Sequence, residues 1–343
     1  MNLIFILFYI NKMSYTILIS GGSGFIGKNL IRFLAKTEKM LEIIVIDNFI
    51  TSDPDYFYEF MAKFKDNDNL KITLFDFDIT SSKLIPFIKE RYNTINEIYH
   101  LASLASPIAY KRYPIKTLDT GYTGTKNLLD LALHYNSKFL LASTSEIYGD
   151  AKESPQNEIY YGNVNSFGER SCYDESKRIA ESLVFTYKLQ FNVDVRVARI
   201  FNTYGPEMSI KDGRIITEII RHLICGTELI VFGDGTQTRS ICYVDDTVQM
   251  LVDLMESDYS NPINIGYNVE MSVNDIVNTT VKNYEKIMCK KVDLQIKYQE
   301  LTQDDPLVRQ PCLKLNKEIL GERVYTTIDE GITETINYFL RLM

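Results

Sequence analysis

The 343-residue sequence predicts an α/β fold, in which helices cover both faces of a doubly wound parallel sheet, followed by a smaller C-terminal α/β domain. Two observations predict this class. Short apolar runs alternate with longer segments of helical periodicity through the first half of the chain, as in consecutive strand–helix–strand units. The first run, at residues 15–20, is followed by glycines and then by a helical pattern, as at the start of a Rossmann-type sheet.

The elements follow from these runs. Predicted strands fall at residues 15–20, 41–46, 70–75, 97–100, 139–143 and 193–200. Predicted helices in the same half fall at 26–34, 121–135 and 173–190. The second half is patchier, with helical patterns at 214–225, 245–256 and 272–287 and an extended segment at 228–232.

The pattern changes near Gly205-Pro206. We therefore predict a larger domain at residues 14–205, joined by segments returning from the C-terminal half, and a second domain at 206–343. Residues 1–13 form an apolar extension. Its apolar run is shorter than the roughly 20 residues that a membrane helix needs, and it lacks the basic start and cleavage site of a signal peptide, so we expect no membrane partner.

The composition excludes several classes of function. A net charge of −8 disfavours a nucleic-acid partner, which would reward clustered Lys and Arg. The five cysteines show no paired spacing, so we expect free thiols in a reducing, cytoplasmic environment. Three histidines and no Cys-x-x-Cys pair predict no protein-bound metal.

A glycine-rich turn separates the first strand from the first helix. In Gly21-Gly-Ser-Gly24-Phe-Ile-Gly27, Gly21 permits a tight turn, Gly24 permits close approach of a pyrophosphate, and Gly27 lets the helix pack near the strand. The helix N-terminus then offers free N–H groups to phosphates. This pattern indicates a Rossmann-type dinucleotide site.

Asp47 ends the second strand, 20 residues after Gly27. A carboxylate at this place binds the ribose hydroxyls of NAD. Because Asn48 to Thr51 contain no Lys or Arg to meet a 2′-phosphate, the sequence favours NAD over NADP.

Tyr173 and Lys177 lie four residues apart in a predicted helix, so their side chains share one face. We expect the ammonium of Lys177 to lower the pKa of the Tyr173 phenol, which would make Tyr173 a base for an alcohol near neutral pH. Thr144 is expected to hold the same alcohol from the other side.

Together these motifs resemble the extended short-chain dehydrogenase/reductase family, from about residue 15 to about residue 325. Further matching segments are His100-Leu-Ala-Ser103, Ser143-Thr-Ser-Glu-Ile-Tyr-Gly149 and Arg199-Ile-Phe-Asn-Thr-Tyr-Gly-Pro206. Other segments resemble the UDP-glucuronate decarboxylases of that family: Tyr161-Gly-Asn-Val-Asn165, Arg170-Ser-Cys-Tyr-Asp-Glu175, Asp212-Gly-Arg214, Gly233-Asp-Gly-Thr-Gln-Thr-Arg-Ser240, Tyr243-Val-Asp-Asp246, Asp304-Asp-Pro and Arg309-x-Pro311.

The resemblance implies an NAD-dependent lyase that oxidises a UDP-sugar at C4, releases CO₂ and reduces C4 again, so that UDP-glucuronate gives UDP-xylose. The catalytic residues that it implies are Thr144, Ser145, Glu146, Tyr173, Lys177 and Arg309, of which Glu146 and Arg309 flank the sugar. The implied cofactor residues are Gly21, Gly24, Phe25, Ile26, Gly27, Asp47, Asn48, Asp78, Ile79, Leu101, Ala102, Ser103, Tyr173 and Lys177. Those implied for the UDP-sugar are Tyr110, Asn202, Arg214 and Arg239.

The sequence departs from the family at Asp119, where relatives carry Lys, at Glu207, where they carry Arg, and at Cys312, where they carry Asp. A carboxylate at position 119 would repel a glucuronate carboxylate. Three readings stay open: Asp119 points away, Lys116 compensates, or the enzyme takes another sugar.

Other functions also stay open. A related enzyme would stop at the 4-keto pentose and release NADH. A 4,6-dehydratase normally uses an Asp where this chain has Ser145, and a 4-epimerase usually lacks a residue like Glu146. A non-catalytic NAD-binding scaffold would not need an intact Thr144, Tyr173 and Lys177.

The predicted helices 121–135 and 173–190 each carry an apolar stripe. Packing on the sheet uses part of each stripe. The rest predicts a pairing surface with a second copy, and hence a homodimer.

Overall fold

A computed structural model of the chain describes residues 15–300 and 308–342. The predicted extension at residues 1–13 and the Asp304-Asp-Pro segment lie outside the described residues. The described strands, β1 to β14 in chain order, are Tyr15–Ser20, Leu41–Asp47, Leu70–Asp76, Glu97–His100, Lys138–Thr144, Val195–Ile200, Thr203–Tyr204, Leu229–Phe232, Thr238–Ser240, Cys242–Tyr243, Pro262–Ile265, Glu270–Ser272, Ile296–Gln299 and Val308–Arg309.

The described α-helices, α1 to α12 in chain order, are Phe25–Leu34, Pro54–Ala62, Leu84–Arg91, Pro107–Arg112, Pro114–Asp119, Thr125–Tyr135, Ser171–Phe191, Ile215–Cys225, Val244–Glu256, Val273–Met288, Lys314–Leu320 and Ile328–Arg341. A π-helical turn, Thr120–Gly124, joins α5 to α6, and a 3₁₀ turn, Ser145–Tyr148, follows β5. Every helix in the described part of the chain is too short or too polar to cross a bilayer.

The central sheet has seven parallel strands in the order β11-β6-β5-β4-β1-β2-β3. The chain builds outward from β1 to β3 and then crosses back, so that β4 lies on the other side of β1. Open α/β sheets bind ligands in the crevice at the carboxyl ends of two such diverging strands. The predicted doubly wound parallel sheet is confirmed.

Each face of the sheet is covered by its own apolar cluster. On one face, Leu30 of α1 and Val248 of α9 are buried against the strands, and on the other, Leu128 of α6 and Val184 of α7 are buried. Because both faces are covered, the strands are largely apolar, as in β2, although β6 also carries the buried Arg196 and Arg199.

The second half of the chain contributes to two regions. Residues 244–265 return to the central sheet, where β11 pairs with β6. The other segments form the small sheets β10-β7, β12-β9-β14 and β13-β8 and a third apolar cluster with α8, α10 and α12. In the β9–β14 pair, Arg239 stands opposite Arg309. The domain division at residue 205 stays a prediction.

Local sequence signals set several helix ends. The Asp53 carboxylate accepts from the N–H groups of Asp55 and Tyr56, and Pro54 occupies the first turn of α2. Helix α12 begins with a reciprocal capping box between Thr327 and Glu330. Helix α7 ends at Asn192, whose φ of 54° lies in the left-handed region.

The segment predicted as one helix from 121 to 135 differs at its start, where the π-helical turn precedes α6. Gly121 explains the tight packing there, because a Cβ at this position would lie 2.5 Å from the carbonyl oxygen of Ser176. The turn therefore lets α5 and α6 pack directly on α7, the helix that carries Tyr173 and Lys177.

Candidate active site

A cavity of about 980 Å³ opens at the carboxyl ends of β1, β2 and β4. It lies at the switch point of the sheet, where the topology places ligands. Twelve of the residues predicted to bind the cofactor line it: Gly21, Gly24, Phe25, Ile26, Gly27, Asp47, Asn48, Asp78, Ile79, Leu101, Ala102 and Ser103. Tyr173 and Lys177 do not line it, but Lys177 donates a hydrogen bond to Ala142, which does.

The glycine turn has the shape that a pyrophosphate needs. Gly21 has a φ of 73°, and a Cβ there would lie 2.6 Å from the backbone nitrogen of Ala102. A Cβ on Gly27 would lie 2.6 Å from the carbonyl oxygen of Gly21. Gly24 begins α1 without a side-chain cap, so this helix N-terminus is available to an anion.

Asp47 ends β2 at the rim of the cavity. Its Oδ2 accepts from the backbone N–H of Ser23 at 3.1 Å, and its Oδ1 accepts from the N–H of Phe49 at 3.0 Å. These bonds fix the carboxylate beside the glycine turn, where ribose hydroxyls would donate to it. The glycine cradle and the fixed carboxylate together fit a bound NAD.

Asp78 lies on the opposite side of the same cavity. Its carboxylate accepts from the backbone N–H of Thr80 at 2.9 Å and from the ammonium of Lys116. Burial alone would raise the pKa of Asp78, but the bonds from Lys116 and Thr80 hold it below its usual value. In this structure Lys116 therefore pairs with Asp78. Asp119 itself is exposed and does not line the cavity.

The predicted proton-transfer group assembles next to this cavity. Burial raises the pKa of Tyr173 to about 12, while a hydrogen bond with Thr144 and the charge of Arg214 act to lower it. The ammonium of Lys177 donates to the carbonyl oxygen of Ala142, a cavity-lining residue, at 2.7 Å. The expectation that Lys177 lowers the pKa of Tyr173 is wrong for this structure, because burial dominates and the ammonium binds a carbonyl.

A second ionic group lies behind Lys177. Ser143 Oγ donates to the Glu181 carboxylate at 2.5 Å, and Arg199 donates to it at 2.8 and 3.1 Å. Burial lowers the pKa of Lys177 to about 8, and the charge of Glu181 acts in the opposite direction. Glu181 was not predicted as a site residue, although its place one helical turn after Lys177 was a usable signal.

Glu146 lies in the 3₁₀ turn after β5, directly beyond Thr144 and the buried Ser145. One of its oxygens accepts from Arg309 of β14, and the other accepts from Arg170. The structure thus brings together Glu146 and Arg309, which lie 163 residues apart in sequence. Arg170 was part of a quoted motif but was not predicted as a site residue.

Arg309 is almost fully buried, and its Nη2 has no hydrogen-bond partner among the described residues. Burial lowers the pKa of this guanidinium to about 10, and Tyr110 acts in the opposite direction. A buried guanidinium nitrogen without a partner is costly unless a ligand binds it. Arg309 is therefore prepared to receive an anion or a carbonyl oxygen.

The residues predicted for the UDP-sugar fall in different places. Tyr110 is buried and stacks on the ring of Tyr173, with centroids 5.3 Å apart. Arg214 lines the cavity and is held by the carboxylate of Asp212. Arg239 lies on β9 opposite Arg309, and the carbonyl of Asn202 accepts from Cys242. Asn202 and Arg239 do not line the cavity.

Glu207 was noted only as a departure from the family pattern. Its buried carboxylate forms ion pairs with Arg32 at 2.5 Å and Lys28 at 3.2 Å, and it accepts a hydrogen bond from Tyr56 at 2.8 Å. Tyr338 of α12 also donates to it, so Glu207 joins α1 to the last helix.

In the described residues, no group of three His, Cys, Asp or Glu is arranged to hold a metal ion.

Comparison with known proteins shows the family of the chain. The chain belongs to the NAD dependent epimerase/dehydratase family, whose model matches residues 17–269. Among curated proteins, UDP-glucuronic acid decarboxylase 6 of Arabidopsis thaliana is 43% identical over 316 residues, covering 92% of this chain and 86% of the relative. UDP-glucuronic acid decarboxylase 1 of Xenopus tropicalis is 39% identical, covering 94% of this chain and 72% of the relative.

Solved structures show the same fold. A UDP-N-acetylglucosamine 4-epimerase from Methanobrevibacter ruminantium M1 matches with a TM-score of 0.83 at 21% identity, covering 96% of this chain and 99% of that one. A UDP-glucuronic acid 4-epimerase from Bacillus cereus, in complex with UDP-glucuronic acid and NAD, matches with a TM-score of 0.81 at 24% identity, covering 96% and 100%.

Proposed function

We propose that the chain is an NAD-dependent lyase that converts UDP-glucuronate into UDP-xylose and CO₂. The observation that carries the proposal is the buried Arg309, which is paired with Glu146 and has an open nitrogen. Glu146 in turn lies two residues after Thr144, in the turn that follows β5. A decarboxylase of this kind needs a cation that can stabilise the negative charge formed as CO₂ leaves, and a proton-transfer group at the sugar C4. The similarity to UDP-glucuronic acid decarboxylases supports the same substrate.

The cofactor would be held by the glycine turn, Asp47 and Asp78. Bound NAD would supply a hydride acceptor and donor at C4, and the positive charge of its oxidised ring would favour a phenolate nearby. No net oxidation occurs over the cycle, so the same cofactor molecule serves each turnover.

Tyr173 would exchange the proton of the sugar 4-hydroxyl. Thr144 hydrogen-bonds with this phenol and orients it. Lys177, fixed on the Ala142 carbonyl, adds a positive charge close to the reacting end of the cavity. Because Tyr110 stacks on Tyr173 with an interplanar angle of 13°, the phenol ring has little freedom to move.

Oxidation at C4 turns the sugar into a β-keto acid. The C5–C6 bond then breaks, CO₂ leaves, and its bonding electrons form an enolate at C4 and C5. Arg309 can stabilise the negative charge that develops there. Glu146 can orient the sugar or a water for protonation at C5. Return of the hydride to C4, and of the proton from Tyr173, completes UDP-xylose.

The nucleotide would bind toward the C-terminal half. Arg214, fixed by Asp212, lines the cavity, and its planar fork suits a phosphate. Arg239 and Asn202 extend the proposed UDP site beyond the cavity.

We also propose that the protein forms a homodimer. Phe185 and Leu189 on α7 are 61% and 73% exposed, and Ile115 and Tyr122 on the adjoining α5 and π-helical turn are 70% and 49% exposed. We expect these side chains to form one apolar surface, because α5 packs against α7. A second copy that presents the same helices would bury it. All five cysteines are free thiols, which supports a cytoplasmic location.

The test is product analysis. Purified protein is incubated with UDP-glucuronate and NAD, and the nucleotide sugars, NADH and CO₂ are measured. UDP-xylose without accumulated NADH is expected, whereas a 4-keto pentose with stoichiometric NADH would show a truncated cycle. Turnover of UDP-glucose or dTDP-glucose with none of UDP-glucuronate would show a dehydratase or epimerase instead. NAD binding without any turnover would indicate a scaffold.

A further inference from the structure

The strongest feature that the proposed mechanism leaves unused is the second arginine on Glu146. Arg170 immediately precedes α7, and its backbone carbonyl accepts from the N–H groups of Tyr173 and Asp174. Its side chain, 21% exposed, pairs with Glu146 on the oxygen that Arg309 does not use. The residue thus starts the helix that carries the base and also contacts the acidic residue beside the sugar.

The combined charge of Arg170, Glu146 and Arg309 affects which sugar the site accepts. Without Arg170, Glu146 and Arg309 would form a neutral pair, one negative charge against one positive charge. With Arg170 the three side chains carry two positive charges and one negative charge. Since Glu146 and Arg309 are both largely buried, their interactions are screened less than those of surface charges.

The hydrogen bonds of Glu146 also leave Arg309 open to an anion. Arg170 occupies one oxygen of Glu146, so the carboxylate can engage Arg309 through its other oxygen alone. Nη2 of Arg309 then has no partner among the described residues. If Glu146 were released from Arg170, both of its oxygens could form a two-pronged pair with Arg309 and occupy that nitrogen.

We propose that Arg170 is a positioning residue that selects sugars bearing a carboxylate. It acts through Glu146, by offsetting the negative charge of that side chain and by leaving Arg309 open to the anion. The inference rests on the proposed function, because it takes a carboxylate sugar as the ligand.

Isothermal titration of UDP-glucuronate and UDP-xylose into protein loaded with NADH, which cannot oxidise the sugar at C4, tests this inference by binding alone. UDP-xylose carries the same nucleotide without the carboxylate, so it reports any general damage to the site. We expect Arg170→Gln to weaken UDP-glucuronate binding at least 10-fold and to change UDP-xylose binding less than 3-fold. Arg170→Lys should recover a large part of the loss, because it restores the charge.

A double-mutant cycle separates action through Glu146 from direct contact with the ligand. In a Glu146→Gln background, Arg170→Gln should change the ratio of the two affinities less than 3-fold. The matched control is Arg91→Gln, which removes an arginine that pairs with the exposed Glu90 instead. It should leave the ratio unchanged.

Two results would overturn the inference alone: equal weakening of both ligands in Arg170→Gln, or the same change of the ratio with and without Glu146. Either would be seen in a protein whose wild type still converts UDP-glucuronate. A wild type that neither binds nor converts UDP-glucuronate would overturn the proposed function and this inference with it.

Discussion

The ammonium of Lys177 donates a 2.7 Å hydrogen bond to the carbonyl oxygen of Ala142, the residue at which the cavity meets the proton-transfer group. The lysine is therefore anchored to the end of the central sheet. The position of its charge is therefore fixed. Because Tyr173 lies on the same helix, this anchor also helps to fix the position of Tyr173.

Replacing Tyr173 by Phe should reduce turnover of UDP-glucuronate by about 10²- to 10⁴-fold, which is the usual contribution of one positioned acid–base group. NAD binding should stay within about 3-fold of wild type, because the lost hydroxyl is not part of the glycine cradle or of Asp47. Steady-state kinetics and cofactor titration measure the two effects. Near-normal turnover would remove Tyr173 from the mechanism.

Lys177 makes the stability of the protein depend on pH. Burial lowers its pKa to about 8, from a value of 10.5 for an ordinary lysine. Between these values the unfolded chain holds the proton and the folded chain does not, so stability rises with pH in that window, by up to about 1.4 kcal/mol per unit. Below pH 8 both states are protonated and the full cost of burying the charge is present.

The variant Lys177→Met should lose this dependence. Its free energy of unfolding relative to wild type should be most favourable near pH 7 and should fall between pH 8 and 10, as measured by urea denaturation. The half-exposed Lys126 provides the matched control, and Lys126→Met should show no such trend. A constant difference across the range would contradict the lowered pKa.

Glu207 is expected to be important for stability. The change Glu207→Gln leaves the buried ammonium of Lys28 without its carboxylate, and loss of one partner of a buried pair costs about 3–5 kcal/mol. The control Glu42→Gln breaks a pair whose lysine is 70% exposed and should cost less than about 1 kcal/mol. Equal losses in the two variants, seen in thermal and urea unfolding, would argue against a special role for Glu207.

Asp119 should have little influence on the substrate. It is exposed and does not line the cavity, so Asp119→Lys should change the KM for UDP-glucuronate less than about 3-fold. A large fall in KM would show that Asp119 faces the sugar in the working enzyme.

The apolar surface on α5 and α7 predicts the oligomeric state. The double change Phe185→Glu and Leu189→Glu places two charges in the proposed interface, so it should convert a dimer into monomers in sedimentation experiments. Changing the exposed Tyr58, which lies on α2 outside this surface, to Glu should leave the dimer intact. A wild type that sediments as a monomer would contradict the pairing proposal.

The sequence was sufficient to predict the central sheet because its strands are short, mostly apolar runs that alternate with helices. Short strands such as Thr238–Ser240 and Val308–Arg309 carry no comparable signal, since their pairing depends on distant partners. The glycine turn and Asp47 could be read directly, because their spacing is local. The pairing of Glu146 with Arg170 and Arg309 could not, because spacing gives no contact between segments so far apart.

The wrong expectation for Tyr173 has a clear physical origin. The spacing of Tyr173 and Lys177 correctly places them on one helix, α7. It carries no information on burial, which is the largest influence on the pKa of both residues in the structure. Local spacing predicted which groups are neighbours but not the environment that decides their protonation.

Because β11 pairs with β6, the N-terminal half of the chain cannot complete the central sheet without residues from the C-terminal half. Strand β6 receives its outer neighbour only from residues 262–265, and α9 at Val244–Glu256 covers the apolar face beside Leu30. A fragment that stops at residue 205 would expose both an open strand edge and this face, and should aggregate. During synthesis, the ribosome must likewise pass residue 265 before the N-terminal half can close its core.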